Sequence, residues 1–128
     1  MSATNFPEYA QRVSHILNTL VATGEAVLTS LQVDQRSALR GFITASLQFD
    51  DGSTLEVREF VDVRQTEPKI MYAYHYQDAD RNLIFRYDNA AHRPALPQPE
   101  HKHTPSGIAL APVPTLSETL DLILGRAS

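Results

Sequence analysis

The sequence predicts an α+β fold with an N-terminal helix, an antiparallel β-meander of four or five strands, a Pro-rich loop and a short C-terminal helix. Apolar residues recur at helical spacing near the N-terminus, and they alternate with polar residues through the middle of the chain. No helical pattern separates the predicted strands, so a parallel sheet built from βαβ units is not expected. The length of 128 residues predicts one domain, spanning positions 1–128.

Both predicted helices carry end signals. The first has Thr4 or Asn5 as its cap, Pro7 in its first turn, and Thr23-Gly24 as its stop. Its apolar stripe is Phe6, Tyr9, Ala10, Val13, Ile16, Leu17 and Leu20. The second helix follows the capping-box pattern Thr115-Leu116-Ser117-Glu118, and Gly125 ends it. We expect both apolar stripes to pack against the core.

The first part of the meander has one residue out of place. Positions 26–33 are predicted to be extended, and 43–49 alternate apolar and polar side chains. The turn Asp50-Asp51-Gly52-Ser53 leads to a return strand with Leu55, Val57, Val61 and Val63 on its apolar face. Glu59 falls in that same register. Either a bulge rotates Glu59 outward, or the side chain points inward and has a partner.

The second hairpin has two possible registers. A loop over 79–82 pairs Tyr76 with Phe85 and places His75 opposite Arg86, whereas a loop longer by one residue places His75 opposite Phe85. We favour the first register because it pairs aromatic residues across the strands. The tyrosines at 72, 74 and 76 are interpreted as core or interface rather than as a platform for stacking bases.

The stretch from Pro94 to Pro114 contains six of the eight prolines. Proline lacks the N–H that a helix interior or a central strand requires, so we expect neither within this stretch. The prediction is therefore a loop that joins the sheet to the last helix.

Composition excludes several classes of protein. There is no cysteine, which excludes disulfides, thiolate zinc sites and a cysteine nucleophile. The N-terminus does not resemble a signal peptide, and no run approaches the roughly 20 apolar residues that span a bilayer. We therefore expect a cytoplasmic protein with no membrane partner. The net charge of −4 does not favour nucleic acid over long range, so RNA binding would need a local basic patch.

Polar side chains concentrate in the second half of the chain and suggest acid–base chemistry. Histidine exchanges protons near neutral pH, and arginine matches the oxygens of phosphate. These are the parts of a metal-independent ribonuclease, in which a base takes the proton of a ribose 2′-OH and an acid protonates the leaving oxygen. The candidate catalytic residues are Glu59, His75, Arg86, His92 and His103. The candidate nucleic-acid-binding residues are Arg58, Arg93, His101 and Lys102.

The roles within this set remain open. His75 or Glu59 would be the base, and His92 or His103 would be the acid. Arg86 and Lys102 would hold the phosphate. Purely structural roles compete with these catalytic ones. In them, His75 is a hydrogen-bonded residue of the sheet, and Arg86 forms an ordinary salt bridge with Asp88. A His-x-His pair in a loop is a weak signal for a metal, and no cofactor is expected.

Three stretches follow one another in the second half of the chain: Tyr74-His75-Tyr76-Gln77-Asp78, then Phe85-Arg86-Tyr87-Asp88-Asn89 with His92, and His101-Lys102-His103. Together they resemble the TumE toxin family. The resemblance extends over about the last 55 residues, and Glu100 departs from it where an additional histidine is expected. It implies the toxin of a type II toxin–antitoxin pair, with an antitoxin partner that carries a helix-turn-helix DNA-binding domain. The ribonuclease mechanism comes from the residue types and not from the resemblance.

Two other functions are compatible with the sequence. A non-enzymatic protein-binding or regulatory module would use the tyrosines and the Pro-rich stretch as its interface. A metal-dependent enzyme would use His101, His103 and one further ligand.

Overall fold

The computed structural model describes residues 2–90 and 99–126. Helix α1 (Phe6–Ala22) is followed by a seven-stranded antiparallel sheet, in which each strand pairs with the next along the chain. The strands are β1 (Ala26–Gln35), β2 (Arg40–Phe49), β3 (Thr54–Asp62), β4 (Lys69–Gln77), β5 (Leu83–Asp88), β6 (His101–Thr104) and β7 (Gly107–Leu110). Helix α2 (Leu116–Ile123) completes the fold. Among the described residues, no helix is long and apolar enough to cross a bilayer.

The core lies between the two helices and one face of the sheet, which we call the inner face. The predicted caps form, since the Asn5 side chain accepts from the Glu8 amide at 2.9 Å and Thr115 forms a capping box with Glu118. The apolar stripe of α1 packs closely enough that Gly41 leaves no space for a side chain. A Cβ there would lie 2.3 Å from the Phe6 ring. The fully buried members of the core include Phe6, Leu17, Ile43, Leu47, Leu55, Val61 and Tyr74.

The favoured register of the second hairpin is confirmed. Tyr76 pairs with Phe85, and His75 pairs with Arg86. The strands are joined by residues 78–82, and the register shifts after Tyr76. The tyrosine row is core, because Tyr72, Tyr74 and Tyr76 are each at most 7 % exposed. It therefore offers no interface of the kind that a protein-binding module would need.

The α+β class is confirmed, but the sheet has more strands than the four or five expected, and the Pro-rich stretch is not entirely loop. The stretch from Pro94 to Pro114 contains β6 and β7, so the sheet has seven strands, and β6 is a central strand paired on both sides. The prolines do not prevent this pairing because none lies within 101–104 or 107–110. Pro105 falls in the turn between the two short strands. The number of prolines alone was a poor guide, because the positions of the prolines decide whether strands form.

Candidate functional site

The sheet face away from α1, which we call the outer face, carries most of the candidate residues in cross-strand rows. One row crosses β3 to β6 as Glu56, His75, Arg86 and His103. The next row crosses the same strands as Arg58, Ala73, Asp88 and His101. Side chains of neighbouring rows lie two residues apart on each strand, which is about 7 Å. The meander therefore brings distant sequence segments into one polar patch.

Arg86 lies between two imidazoles in the first row. Its NH1 atom is 3.3 Å from Nδ1 of His75. Arginine only donates hydrogen bonds, so Nδ1 of His75 accepts, and Nε2 carries the proton donated to the Gln77 side-chain oxygen at 3.2 Å. His103 is the cross-strand neighbour of Arg86 on the opposite side. A guanidinium flanked by two imidazoles can hold a phosphate between two groups that transfer protons.

Asp88 is the carboxylate to which the basic groups converge. It is 3 % exposed, and its oxygens accept from Nε of Arg86 at 2.7 Å and from the Ala90 amide at 3.1 Å. Nε2 of His101 is 2.5 Å away, and Nε2 of His103 is 3.4 Å away. The Arg86–Asp88 pair is therefore part of a network rather than an isolated salt bridge. Asp88 fixes the orientation of three of the candidate side chains.

His101 is completely buried and has an acceptor at each ring nitrogen. Its Nδ1 is 2.6 Å from the Pro99 carbonyl, and its Nε2 faces the Asp88 carboxylate. A carbonyl oxygen accepts only, so Nδ1 carries a proton, and a second proton must lie between Nε2 and Oδ1 of Asp88. His101 is therefore a support for Asp88 rather than a surface that contacts nucleic acid.

Two shallow cavities meet at the small side chain of Ala73. One, of about 360 Å³, is lined by Glu56, Arg58, Ala73, His75 and Arg86. The other, of about 220 Å³, runs from Arg58, Ala73 and Arg86 towards Phe42, Phe60 and Met71. Arg58 is exposed, and its guanidinium forms no ion pair with any of the described residues. The groove thus joins the Arg58 guanidinium to the His75–Arg86 pair.

Asp88 supplies the third potential metal ligand that the sequence lacked for His101 and His103. The potential ligand atoms lie within 4.8 Å of one another. Two ligands of one tetrahedral ion, each about 2.0–2.1 Å from it, are roughly 3.3 Å apart. The 2.5 Å between His101 and Asp88 is the length of a hydrogen bond, so a metal would require the carboxylate to move. As arranged, the pair holds a proton.

Glu59 belongs to a different cluster, and the expectation that it joins the histidines is corrected. It points inward, is 1 % exposed and accepts hydrogen bonds from the hydroxyls of Tyr9 and, at 2.5 Å, Tyr74. Lys69 donates to Tyr74 at 3.0 Å and to the Pro114 carbonyl. Burial raises the pKa of Tyr9 and Tyr74, as does the nearby Glu59 charge. Burial also lowers the pKa of Lys69.

The other candidates fall in three places. Lys102 points to the inner face, with its ammonium 5.0 Å from the Tyr87 ring centre and 5.6 Å from that of Phe85. Strand alternation separates it from His101 and His103, so it cannot bind the same phosphate as Arg86. Arg58 is part of the polar patch on the outer face. His92 and Arg93 lie outside the described residues.

Comparison with known protein families assigns the chain to one of them. The family model described as Toxin TumE matches residues 15–126. The chain belongs to the TumE toxin family. No curated protein and no solved structure matches it. The matched region includes both strand rows of the outer face, so the polar patch of this TumE toxin lies within the part that defines the family.

Sequence reasoning missed two features of this TumE toxin. Asp88 was recognised as a partner of Arg86 but not as the acceptor shared with His101 and His103, because β6 was expected to be loop. A strand assignment for 101–104 would have placed both histidines on one face and Lys102 on the other, and pairing with β5 would then have set the histidines beside Asp88. The outer-face aromatics Phe42 and Phe60 were also missed, although both alternate with residues assigned to the core.

Proposed function

We propose that this TumE toxin is the toxin of a type II toxin–antitoxin pair and acts as a metal-independent ribonuclease in the cytoplasm. The observation that carries the proposal is the row His75–Arg86–His103, in which two imidazoles flank one guanidinium. Arg58 lies beside this row, forms no ion pair with a described residue and supplies a second cation. Its partner would be an antitoxin with a helix-turn-helix DNA-binding domain, as the family implies.

Phosphate binding would prepare the first step. Arg86 turns part of its fork from His75 to the oxygens of the scissile phosphate, and Arg58 binds the same phosphate from across Ala73. Loss of the Arg86 hydrogen bond leaves the Nδ1 lone pair of His75 available as the base. Asp88 keeps Arg86 in place through Nε, which is not the nitrogen that faces His75.

Proton transfer then follows the chemistry that RNA permits without a metal. His75 accepts the proton of the 2′-OH, the 2′-oxygen attacks phosphorus, and the bond to the 5′-oxygen breaks. His103 donates the proton to that leaving oxygen, since the Asp88 carboxylate supplies a negative charge that stabilises its imidazolium. The products are a 2′,3′-cyclic phosphate and a free 5′-hydroxyl. The two guanidinium groups stabilise the charge on the phosphorane.

The test compares wild type with Arg86→Ala and His75→Ala, expressed without antitoxin, and then assays purified protein on RNA in EDTA. We expect each variant to lose growth arrest and to cleave at least about 100-fold more slowly, the usual scale for loss of a proton-transfer or oxyanion group. Cyclic phosphate ends should appear on the products.

Two further variants separate chemistry from folding. Arg86→Lys keeps the charge next to Asp88 but lacks the fork, so it should fold and remain defective. Arg81→Asn removes one positive charge from the turn at residues 78–82, where φ is 67° and Asn is tolerated, so it should remain fully toxic. Equal toxicity of wild type, His75→Ala and Arg86→Ala, or intact RNA with wild type, would refute the ribonuclease and leave a toxin that acts by binding.

A further inference from the structure

A pair of stacked aromatic rings stands on the outer face beside the polar patch. Phe42 and Phe60 are cross-strand neighbours, with ring centres 4.4 Å apart and planes inclined by 12°. Met71 is the next residue of that row on β4 and is 57 % exposed. Apolar side chains on the face away from the core have no helix to pack against in the described structure. Their placement needs a reason other than core packing.

Each ring also lies near an exposed guanidinium. The Arg36 guanidinium carbon is 5.7 Å from the centre of the Phe42 ring, and that of Arg40 is 5.8 Å from the centre of the Phe60 ring. Aromatic faces and guanidinium planes are the surfaces on which proteins stack unpaired bases. Both types of surface therefore occur together at this end of the outer face.

The aromatic pair is continuous with the row His75–Arg86–His103. Phe42, Phe60 and Met71 line the same cavity of about 220 Å³ as Arg58 and Arg86. Along β3, Phe60 and Arg58 are two residues apart, which places stacking surface and cation about 7 Å from each other on one face. Such alternation of apolar rings and positive charge matches a polynucleotide strand, which alternates bases and phosphates.

We propose that Phe42 and Phe60 form a base-stacking subsite, and that the substrate of this toxin is single-stranded RNA. The inference rests on the proposed ribonuclease function and adds the substrate class and a specificity-determining pair. A base stacks on the ladder of rings and guanidiniums. The phosphate attached to it is the scissile one, which Arg58 and Arg86 bind between His75 and His103. Double-stranded RNA does not fit because its bases are already stacked and paired.

The experiment measures binding separately from cleavage. A fluorescent 2′-O-methyl RNA hexamer lacks the 2′-OH nucleophile and therefore is not cleaved. Toxin is added to this hexamer as a single strand and, separately, to the same hexamer annealed to its complement. The variant Phe42→Leu/Phe60→Leu keeps apolar volume on the sheet while removing both rings. Leu122→Ala, which truncates a 40 % exposed apolar side chain on α2, is the matched control.

We expect the single strand to bind better than the duplex, the leucine variant to bind the single strand at least about tenfold more weakly, and the control to bind like wild type. On cleavable RNA, the leucine variant should raise KM more than it lowers kcat, because the rings do not contact the reacting atoms. Equal binding by wild type and the leucine variant, or equal binding of duplex and single strand, would overturn the stacking subsite while leaving the ribonuclease intact. Absence of cleavage by wild type would instead overturn the proposed function.

Discussion

Nε2 of His101 lies 2.5 Å from Oδ1 of Asp88, although His101 lies within the Pro-rich stretch and Asp88 ends the strand before it. Both are buried, and the ring is completely so. A buried carboxylate is tolerated only when charged or hydrogen-bonded partners satisfy it. The pair therefore attaches the short strand β6 to β5 and fixes the carboxylate that orients Arg86 and His103.

The first prediction concerns the stability that this pair provides. His101→Ala removes a buried hydrogen bond to a charged group and leaves a cavity, so the free energy of unfolding should fall by about 3 kcal/mol. His103→Ala is the matched control, because that ring is 23 % exposed and its nitrogen lies farther from Asp88, so its loss should cost less than about 1 kcal/mol. Urea denaturation of both variants measures the difference. Equal losses would show that burial of His101 carries no special stability.

The second prediction concerns metal removal. The spacing of His101 and Asp88 suits a proton and not a bound ion, so toxin dialysed against EDTA should cleave RNA at the same rate as before dialysis. Added Zn²⁺ should inhibit, because it competes with the proton for Asp88, His101 and His103. Elemental analysis together with initial rates checks both statements. Activity that disappears in EDTA and returns with one equivalent of metal would establish a metallo-enzyme instead.

Local sequence patterns were sufficient for most of the fold. The spacing of Phe6, Val13 and Leu17, the Asn5 and Thr115 caps and the aromatic pairing of Tyr76 with Phe85 identified both helices and the second hairpin. Those features depend on contacts within one helix or between neighbouring strands. Glu59 showed the limit, since alternation left its orientation open and could not reveal its partner Tyr9, which is 50 positions away.

The site was harder to predict than the fold because it depends on which strands are neighbours. His75 and Arg86 were placed together by hairpin register alone. The position of His103 beside them required β6 to pair with β5, and the intervening prolines concealed that strand. The separation of Lys102 from its neighbours follows from the same strand, so one missed element changed the assignment of several residues.

The third prediction concerns the buried cluster of Glu59, Tyr9 and Tyr74 and the pH dependence of the stability that it provides. Tyr9→Phe removes one of two hydroxyl donors to buried Glu59 and should destabilise the fold by about 1–3 kcal/mol at neutral pH. Burial and the Glu59 charge raise the pKa of Tyr9 in the folded state above the ordinary value of about 10. Its contribution is therefore fully present below pH 10 and is lost as the pH rises beyond it, while the unfolded chain ionises first.

The measurement is the difference in unfolding free energy between wild type and Tyr9→Phe from pH 7 to 11. We expect it to be constant up to about pH 9 and to shrink above pH 10. Tyr87→Phe, at a partly exposed position on the same sheet face, controls for loss of a phenol. A difference that grows with pH would mean that Tyr9 ionises more readily in the fold, contrary to its burial beside a carboxylate.

The last prediction concerns the edge of the sheet that an antitoxin would cover. β7 is an edge strand of Gly107-Ile108-Ala109-Leu110 in which every residue is exposed and none is charged. Open, apolar edges accept a strand from a partner, whereas β1, the other edge, carries polar and charged side chains such as Gln32 and Asp34. Ile108 and Leu110 pair with His103 and His101, so a strand added to β7 would lie one strand away from His103. Hydrogen exchange on the toxin–antitoxin complex should show new amide protection at 107–110 and little change at 26–35. Protection confined to β1 would place the antitoxin at the far edge, where it could not cover His103 by strand addition.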